Sequence, residues 1–234
     1  MKIKIKRYHP HFEPKTKVFT YEVKEEKTLL EILEDIKTDI DKSLTFSKGC
    51  RSGVCGSCAV KVNTKEVLAC EYKPKENDFI EPLSVVNVIR DLVVDKEKAL
   101  DTLKKAKSYL EKPIKKEMSE DEEKLIEKES DCILCISCYS SCPVYETNKD
   151  FLGPFALMRN YRYLVDIREE NKKEKIDAVI QNGIWDCTLC GNCTEVCPQD
   201  IDPKTDIMML QSWAAKFGYT NPNLSSFGSF GLDF

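Results

Sequence analysis

Cys132-Ile-Leu-Cys135-Ile-Ser-Cys138-Tyr-Ser-Ser-Cys142-Pro143 and Cys187-Thr-Leu-Cys190-Gly-Asn-Cys193-Thr-Glu-Val-Cys197-Pro198 organise this sequence. Each is a complete C-x2-C-x2-C-x3-C-P run, the spacing in which thiolates hold a pair of 4Fe–4S cubes. Three thiolates on one tight turn cap three irons of a cube, and the fourth, three residues on, reaches the other cube. The runs therefore interlock. One 4Fe–4S cluster is assigned to Cys132, Cys135, Cys138 and Cys197, and the second to Cys142, Cys187, Cys190 and Cys193. Zinc sites use ligands in pairs, and neither run divides into pairs. Disulfides need an oxidising compartment, and nothing at the N-terminus reads as a signal peptide.

A third cysteine set lies upstream, in Ser47-Lys-Gly-Cys50-Arg-Ser-Gly-Val-Cys55-Gly-Ser-Cys58, with Cys70 following a short hairpin (Val60, Val62, Val67, Leu68). C-x4-C-x2-C…C is the plant-type 2Fe–2S spacing. Gly49, Gly53 and Gly56 are expected to take positive φ so that the backbone wraps the cluster and aims N–H groups at sulfur. Arg51 reads equally as a cation near the cluster and as a solvated surface residue.

Around this loop the pattern is that of a small β-rich domain, residues 1–92. Ile3 and Ile5 alternate with lysines as in a half-buried strand, and Phe19, Tyr21 and Val23 predict a second. Thr28-Leu-Leu-Glu31 is a capping box opening a helix with Leu29, Leu33, Ile36 and Ile40 inward. Residues 93–131 read as a charged helical connector, with Ala99, Leu103, Ala106 and Leu110 as a thin stripe, a stop at Pro113 and a second capping box at Ser119 to Glu122. Residues 132–218 predict a helical domain. One helix starts at Gly153-Pro154, with Leu157, Tyr161, Leu164 and Val165 on one face. Another carries Ile176, Val179 and Ile180. The last starts at Asp202-Pro203, with Ile207, Leu210, Ala214 and Phe217 inward. Trp185 and Trp213 read as core. The tail, residues 219–234, reads either as disordered or as docking on another subunit through Phe227, Phe230, Leu232 and Phe234. The fold class is α+β: a β-grasp 2Fe–2S ferredoxin domain followed by an all-helical domain of the bacterial dicluster ferredoxin type.

Composition narrows the function. The chain has 234 residues, 32% of them charged, and a net charge of −4, which gives no support for nucleic-acid binding. No apolar run approaches the ~18 residues a membrane helix needs, so membrane contact is expected only through partners and the chain is expected in the reducing cytoplasm. His9 and His11 lie far from the cysteine runs, which excludes a Rieske centre. There is no dinucleotide fingerprint, no P-loop and no histidine beside the cysteines to act as acid or base. No catalytic residue is assigned. Three redox centres without a visible substrate site read as an electron wire. A self-contained enzyme would need a concealed pocket built from Lys, Tyr or Glu, and a structural metal adaptor would leave twelve thiols without a redox use.

At the level of family the motifs resemble the iron–sulfur subunit of succinate dehydrogenase and fumarate reductase. The resemblance rests on Cys50-Arg-Ser-Gly-Val-Cys55-Gly-Ser-Cys58, Leu68-Ala-Cys70, Val88-Ile-Arg-Asp-Leu-Val-Val-Asp95, Cys132-Ile-Leu-Cys135, Phe151-Leu-Gly-Pro154 and Tyr161-Arg-Tyr-Leu-Val-Asp166. It implies an FAD-bearing partner that interconverts succinate and fumarate, with the 2Fe–2S domain nearest the flavin and the second cubane nearest the quinone end. A different flavin-dependent dehydrogenase is the alternative partner. Two departures stand out. Most members lack the middle cysteine of the second run and hold 3Fe–4S there, whereas this chain has Cys190. Thr188 and Thr147 stand where the family places the His and Trp that help bind quinone. The pattern resembles the variants whose third subunit is cysteine-rich and heterodisulfide-reductase-like, and the chain is expected to end before any such fused module.

Overall fold

A computed structural model describes residues 1–24 and 26–222. The expectation for the aromatic tail beyond 222 lies outside the described residues. The chain divides into two units.

The first unit comprises Met1–Leu100, Cys132–Ser141 and Asn192–Ile201. Its strands are β1 (Lys2–Tyr8), β2 (Thr16–Glu22), β3 (Ala59–Val62), β4 (Lys65–Leu68) and β5 (Phe79–Glu81), paired in the order β2-β1-β5-β3-β4. The pair β1–β5 is parallel and the others are antiparallel, which gives a mixed β-grasp sheet. Ile3 and Ile5 point inward from β1 and are fully buried, as their alternation with lysine requires. Helix α1 (Leu29–Asp35) covers the same core through Leu29, Leu30, Ile32 and Leu33. Its start is the expected capping box: Thr28 N–H donates to Glu31 Oε2 at 2.8 Å, and Glu31 N–H donates to Thr28 Oγ1. A small ribbon of β6 (Val88–Arg90) and β7 (Val93–Val94) follows.

One side chain departs from its predicted face. The turn after α1, Ile36–Ile40, widens to a π-helix closed by Asp41 N–H to Ile36 O, so Ile36 stays buried while Ile40 is rotated into solvent. On β2 only Tyr21 is buried. Phe19 is exposed, with the Arg7 guanidinium 5.5 Å from its ring centroid, and Val23 lies beyond the strand. β2 is an edge strand.

Beyond β7, among the described residues, every regular element is helical, with the α-helices α2 (Glu97–Lys105), α3 (Glu120–Ser130), α4 (Ser137–Ser140), α5 (Pro154–Val165), α6 (Lys172–Asp177), α7 (Asn192–Glu195) and α8 (Pro203–Lys216). The second unit comprises Asp101–Asp131, Cys142–Gly191 and the stretch from Asp202. Leu157 and Leu164 of α5 and Ile207, Leu210 and Ala214 of α8 are fully buried, while Phe217 is half-buried. Gly218 ends α8 at φ 85°, a conformation glycine adopts without a Cβ penalty. Trp185 and Trp213 are half-buried, and Lys172 and Lys216 lie over the Trp213 ring.

The charged stretch between Lys105 and Ser119 is not helical, and it is tied down. Lys175 is fully buried. Its Nζ donates to the Lys107 carbonyl at 2.8 Å and to the Tyr109 carbonyl, and it lies 3.3 Å from Glu169. Glu169 in turn accepts from Glu111 N–H at 2.8 Å. A buried ammonium is tolerated because carboxylate and carbonyl oxygens replace its water.

Candidate iron–sulfur centres

The loop carrying Cys50, Cys55 and Cys58 is drawn around sulfur. Cys50 N–H donates to Cys55 Sγ at 3.3 Å, Ser52 N–H to Cys50 Sγ at 3.4 Å, and Gly53 N–H to Cys70 Sγ at 3.3 Å. Gly53 and Gly56 have φ of 75° and 64°. Gly49 does not share that conformation; its hydrogen is needed because a Cβ there would lie 2.8 Å from Cys55 Sγ. The Ser52 amide is the leading cause that pulls the Cys50 thiol down to about 6, and burial is the leading cause that pushes Cys58 up to about 11. Amides aimed at sulfur favour thiolate and are the donors that tune a bound cluster. Arg51 is exposed at φ 65° and pairs with Glu34 at 2.8 Å, so its charge is held by a carboxylate.

Cys132, Cys135, Cys138 and Cys197 all lie in the first unit. Cys138 is buried, and that burial raises its pKa, with Cys135, Cys132, Cys193 and Cys197 adding to the rise. Burial thus favours the neutral form of the Cys138 thiol, and cationic iron would compensate the charge of its thiolate, which is the chemistry of a cluster site. Among the described residues no three Cys, His, Asp or Glu side chains converge as ligands of a single metal ion. A 4Fe–4S cubane instead takes one thiolate on each of its four irons.

The two runs share a local conformation. In the first, Leu134 and Ile136, on either side of Cys135, have φ of 52° and 62°; in the second, Leu189 and Gly191, on either side of Cys190, have 54° and 88°. Each run then enters a one-turn helix, α4 or α7, whose second residue is Cys138 or Cys193. Left-handed backbone costs a non-glycine residue about 1 kcal/mol, so its recurrence at Leu134, Ile136 and Leu189 marks loops shaped by what they hold. Leu189 N–H donates to Cys187 Sγ at 3.4 Å. In the second unit burial pushes Cys142 up to about 11, with Cys187 and Cys190 contributing. Cys190 is exposed, whereas Cys135 is buried.

The first unit binds its distant segments through contacts that local pattern does not announce. Ser140 Oγ donates to the buried Glu66 at 2.7 Å and accepts from Ser84 N–H at 2.7 Å. Gln199 Nε2 donates to the Gly53 carbonyl at 3.1 Å, next to the Cys50–Cys58 loop. Lys96 Nζ donates to the Gly56 carbonyl at 3.2 Å and feels the thiols of Cys135, Cys55 and Cys58. Burial, the largest influence on Lys96, lowers its pKa, and these thiols oppose it. Lys96 sits in a lysine-rich stretch, and nothing in the sequence separates it from its neighbours.

Residues 2–101 match the 2Fe–2S iron–sulfur cluster binding domain family and residues 128–201 the 4Fe–4S dicluster domain family. The fumarate reductase iron–sulfur subunit of Haemophilus influenzae is 33% identical over 92% of this chain and 93% of its own length. The chain belongs to the iron–sulfur subunits of succinate dehydrogenase and fumarate reductase. As a member of that family it is an electron-transfer subunit of an oxidoreductase complex, with 2Fe–2S and 4Fe–4S centres. A component of the fumarate reductase (CoM/CoB) of Methanothermobacter marburgensis is 33% identical over 92% of this chain but only 45% of its own length. The chain thus spans less than half the length of some curated relatives and nearly all of others. A chain of the Mycobacterium smegmatis Sdh1 complex in the apo form shares the fold, with a TM-score of 0.81 at 22% identity over 94% of this chain and 98% of that one. Among the described residues no helix is long and apolar enough to cross a membrane.

Proposed function

We propose that this subunit relays electrons between an FAD-containing succinate/fumarate subunit and a cysteine-rich third subunit, on the cytoplasmic side of a membrane reached only through partners. The observation that carries the relay is the close approach of Gly56, in the 2Fe–2S loop, to Cys135 of the first cubane run; only a hydrogen fits between them. Backbone contact between two ligand loops is the arrangement that short-range electron transfer requires. When bound, each cluster accepts and passes on an electron.

The chain's own residues hold and shield these centres. Cys50, Cys55, Cys58 and Cys70 are proposed to hold the 2Fe–2S cluster, with Ser52 and Gly53 amides donating to its sulfurs. Cys132, Cys135, Cys138 and Cys197 are proposed for the first 4Fe–4S cluster. Cys142, Cys187, Cys190 and Cys193 are proposed for the second, an assignment carried by spacing and by the left-handed turns repeated around Cys135 and Cys190. The exposed edge of the 2Fe–2S loop, with Cys50, Arg51 and the apolar Val54, suits docking of the flavoprotein. Thr188, where a quinone-binding His is expected, favours a thiol-linked third subunit, and similarity to a fumarate reductase named for CoM/CoB points the same way.

The test is anaerobic purification of the native complex, subunit identification, iron counting and assays of fumarate reduction and succinate oxidation. About 10 irons per chain are expected, with an FAD subunit and a cysteine-rich subunit retained. A flavoprotein acting on neither succinate nor fumarate would overturn the substrate assignment, and a haem-bearing membrane anchor in place of the cysteine-rich subunit would overturn that partner.

A further inference from the structure

Lys96 lies where the 2Fe–2S loop meets the first cubane run. Its ammonium donates to the Gly56 carbonyl at 3.2 Å. Gly56 is buried, and a Cβ on it would fall 2.8 Å from both Cα and Cβ of Cys135 and 2.9 Å from the Ile133 carbonyl. The same ammonium acts electrostatically on Cys55 and Cys58 of one ligand set and on Cys135 of the other. Among the described residues no carboxylate pairs with it, in contrast to Arg51 and Lys48, which both pair with Glu34. Lys96 is half-buried, so water screens it less than a surface lysine.

We infer that Lys96 is a shared positioning cation: it ties the 2Fe–2S loop to the first cubane run and raises the reduction potentials of both clusters together. A reduced cluster carries one more negative charge than its oxidised form, and a nearby ammonium favours it. Because Lys96 faces thiols of both sets, it moves the two potentials in the same direction. The driving force between them is therefore less sensitive to the charge than either potential alone.

This inference rests on the cluster assignment above, and the experiment separates the two. Wild-type complex and the variants K96Q, K96M and K96R are purified anaerobically, their iron counted, and their clusters titrated potentiometrically with detection by electron paramagnetic resonance. K96Q keeps a donor for the Gly56 carbonyl and removes the charge; K96R keeps the charge. The expected result is unchanged iron, a fall of both the 2Fe–2S and the first 4Fe–4S midpoint potentials in K96Q and K96M, and values near wild type in K96R. Unchanged potentials in iron-replete K96Q, or a shift of one cluster only, would overturn the role of Lys96. Absence of the two clusters from the wild-type protein would instead overturn the cluster assignment. If K96M alone loses iron, the K96Q and K96R potentials decide the matter.

Discussion

A Cβ on Gly56 would sit 2.8 Å from the Cα of Cys135, a residue 79 positions further along the chain. Gly56 is also at φ 64°. Gly56→Ala therefore meets two costs, about 1 kcal/mol for left-handed backbone and about 1–3 kcal/mol for overpacking. The variant is expected to melt at a lower temperature and to lose iron from the 2Fe–2S and first 4Fe–4S centres. Differential scanning calorimetry and iron analysis check this; full iron at an unchanged melting temperature contradicts it.

Cys190→Ser probes the second cubane. With Cys190 as a ligand, the twelve cysteines supply four thiolates to each of three clusters. The variant is expected to fall from about 10 to about 9 irons per chain and to show a 3Fe–4S signal by electron paramagnetic resonance in the oxidised state. A strong 3Fe–4S signal in anaerobic wild-type protein, unaltered by the substitution, removes Cys190 from the ligand set.

The ion cluster under β1 is predicted to matter for stability. Arg7 Nε and Nη2 donate to the two Asp91 oxygens at 3.0 and 2.9 Å, and Nη1 donates to Asp41. Asp91 is buried and also accepts from Thr45 N–H at 2.8 Å. Arg7→Met leaves a buried carboxylate without its main partner and is expected to cost about 3–5 kcal/mol. Chemical denaturation followed by circular dichroism reads this; a loss below about 1 kcal/mol would mean that the pair is worth no more than a surface ion pair.

In the second unit Asp206 is buried, its Oδ2 has no donor among the described residues, and it faces Glu129, Asp202 and Tyr161. Burial, reinforced by Glu129 and Asp202, pushes its carboxyl from 3.8 up to about 8. A carboxyl with a raised folded pKa binds more protons folded than unfolded. Its contribution to stability is therefore present below about pH 4 and is lost as pH rises through about 8. Asp206→Asn is expected to flatten that slope and to gain roughly 1–3 kcal/mol at pH 8 relative to wild type. Thermal melts from pH 5 to pH 9 test it, and parallel curves for the two proteins would contradict it.

Local chemistry made some of this legible in advance. The capping boxes at Thr28 and Ser119 were readable because a cap is satisfied within three residues. The alternation of Ile3 and Ile5 was readable because strand pleating has a fixed period. Ile40 was misread because helical spacing cannot foresee a π-turn that shifts the phase by one residue.

The three cysteine groups, the strand-then-helix order and the family could all be read from the residues alone, because each is written in short spacings and local periods. The folded chain was needed to learn that Cys132–Ser141 and Asn192–Ile201 fold with the N-terminal unit while Cys142–Gly191 does not. Folding also brings Ser140 to Glu66, Gln199 to Gly53 and Lys96 to Gly56. Those pairs are separated by 40 to 146 residues, and no local period extends so far. They form because sheet pairing and core burial carry distant segments together, and the buried polar groups must then find partners there.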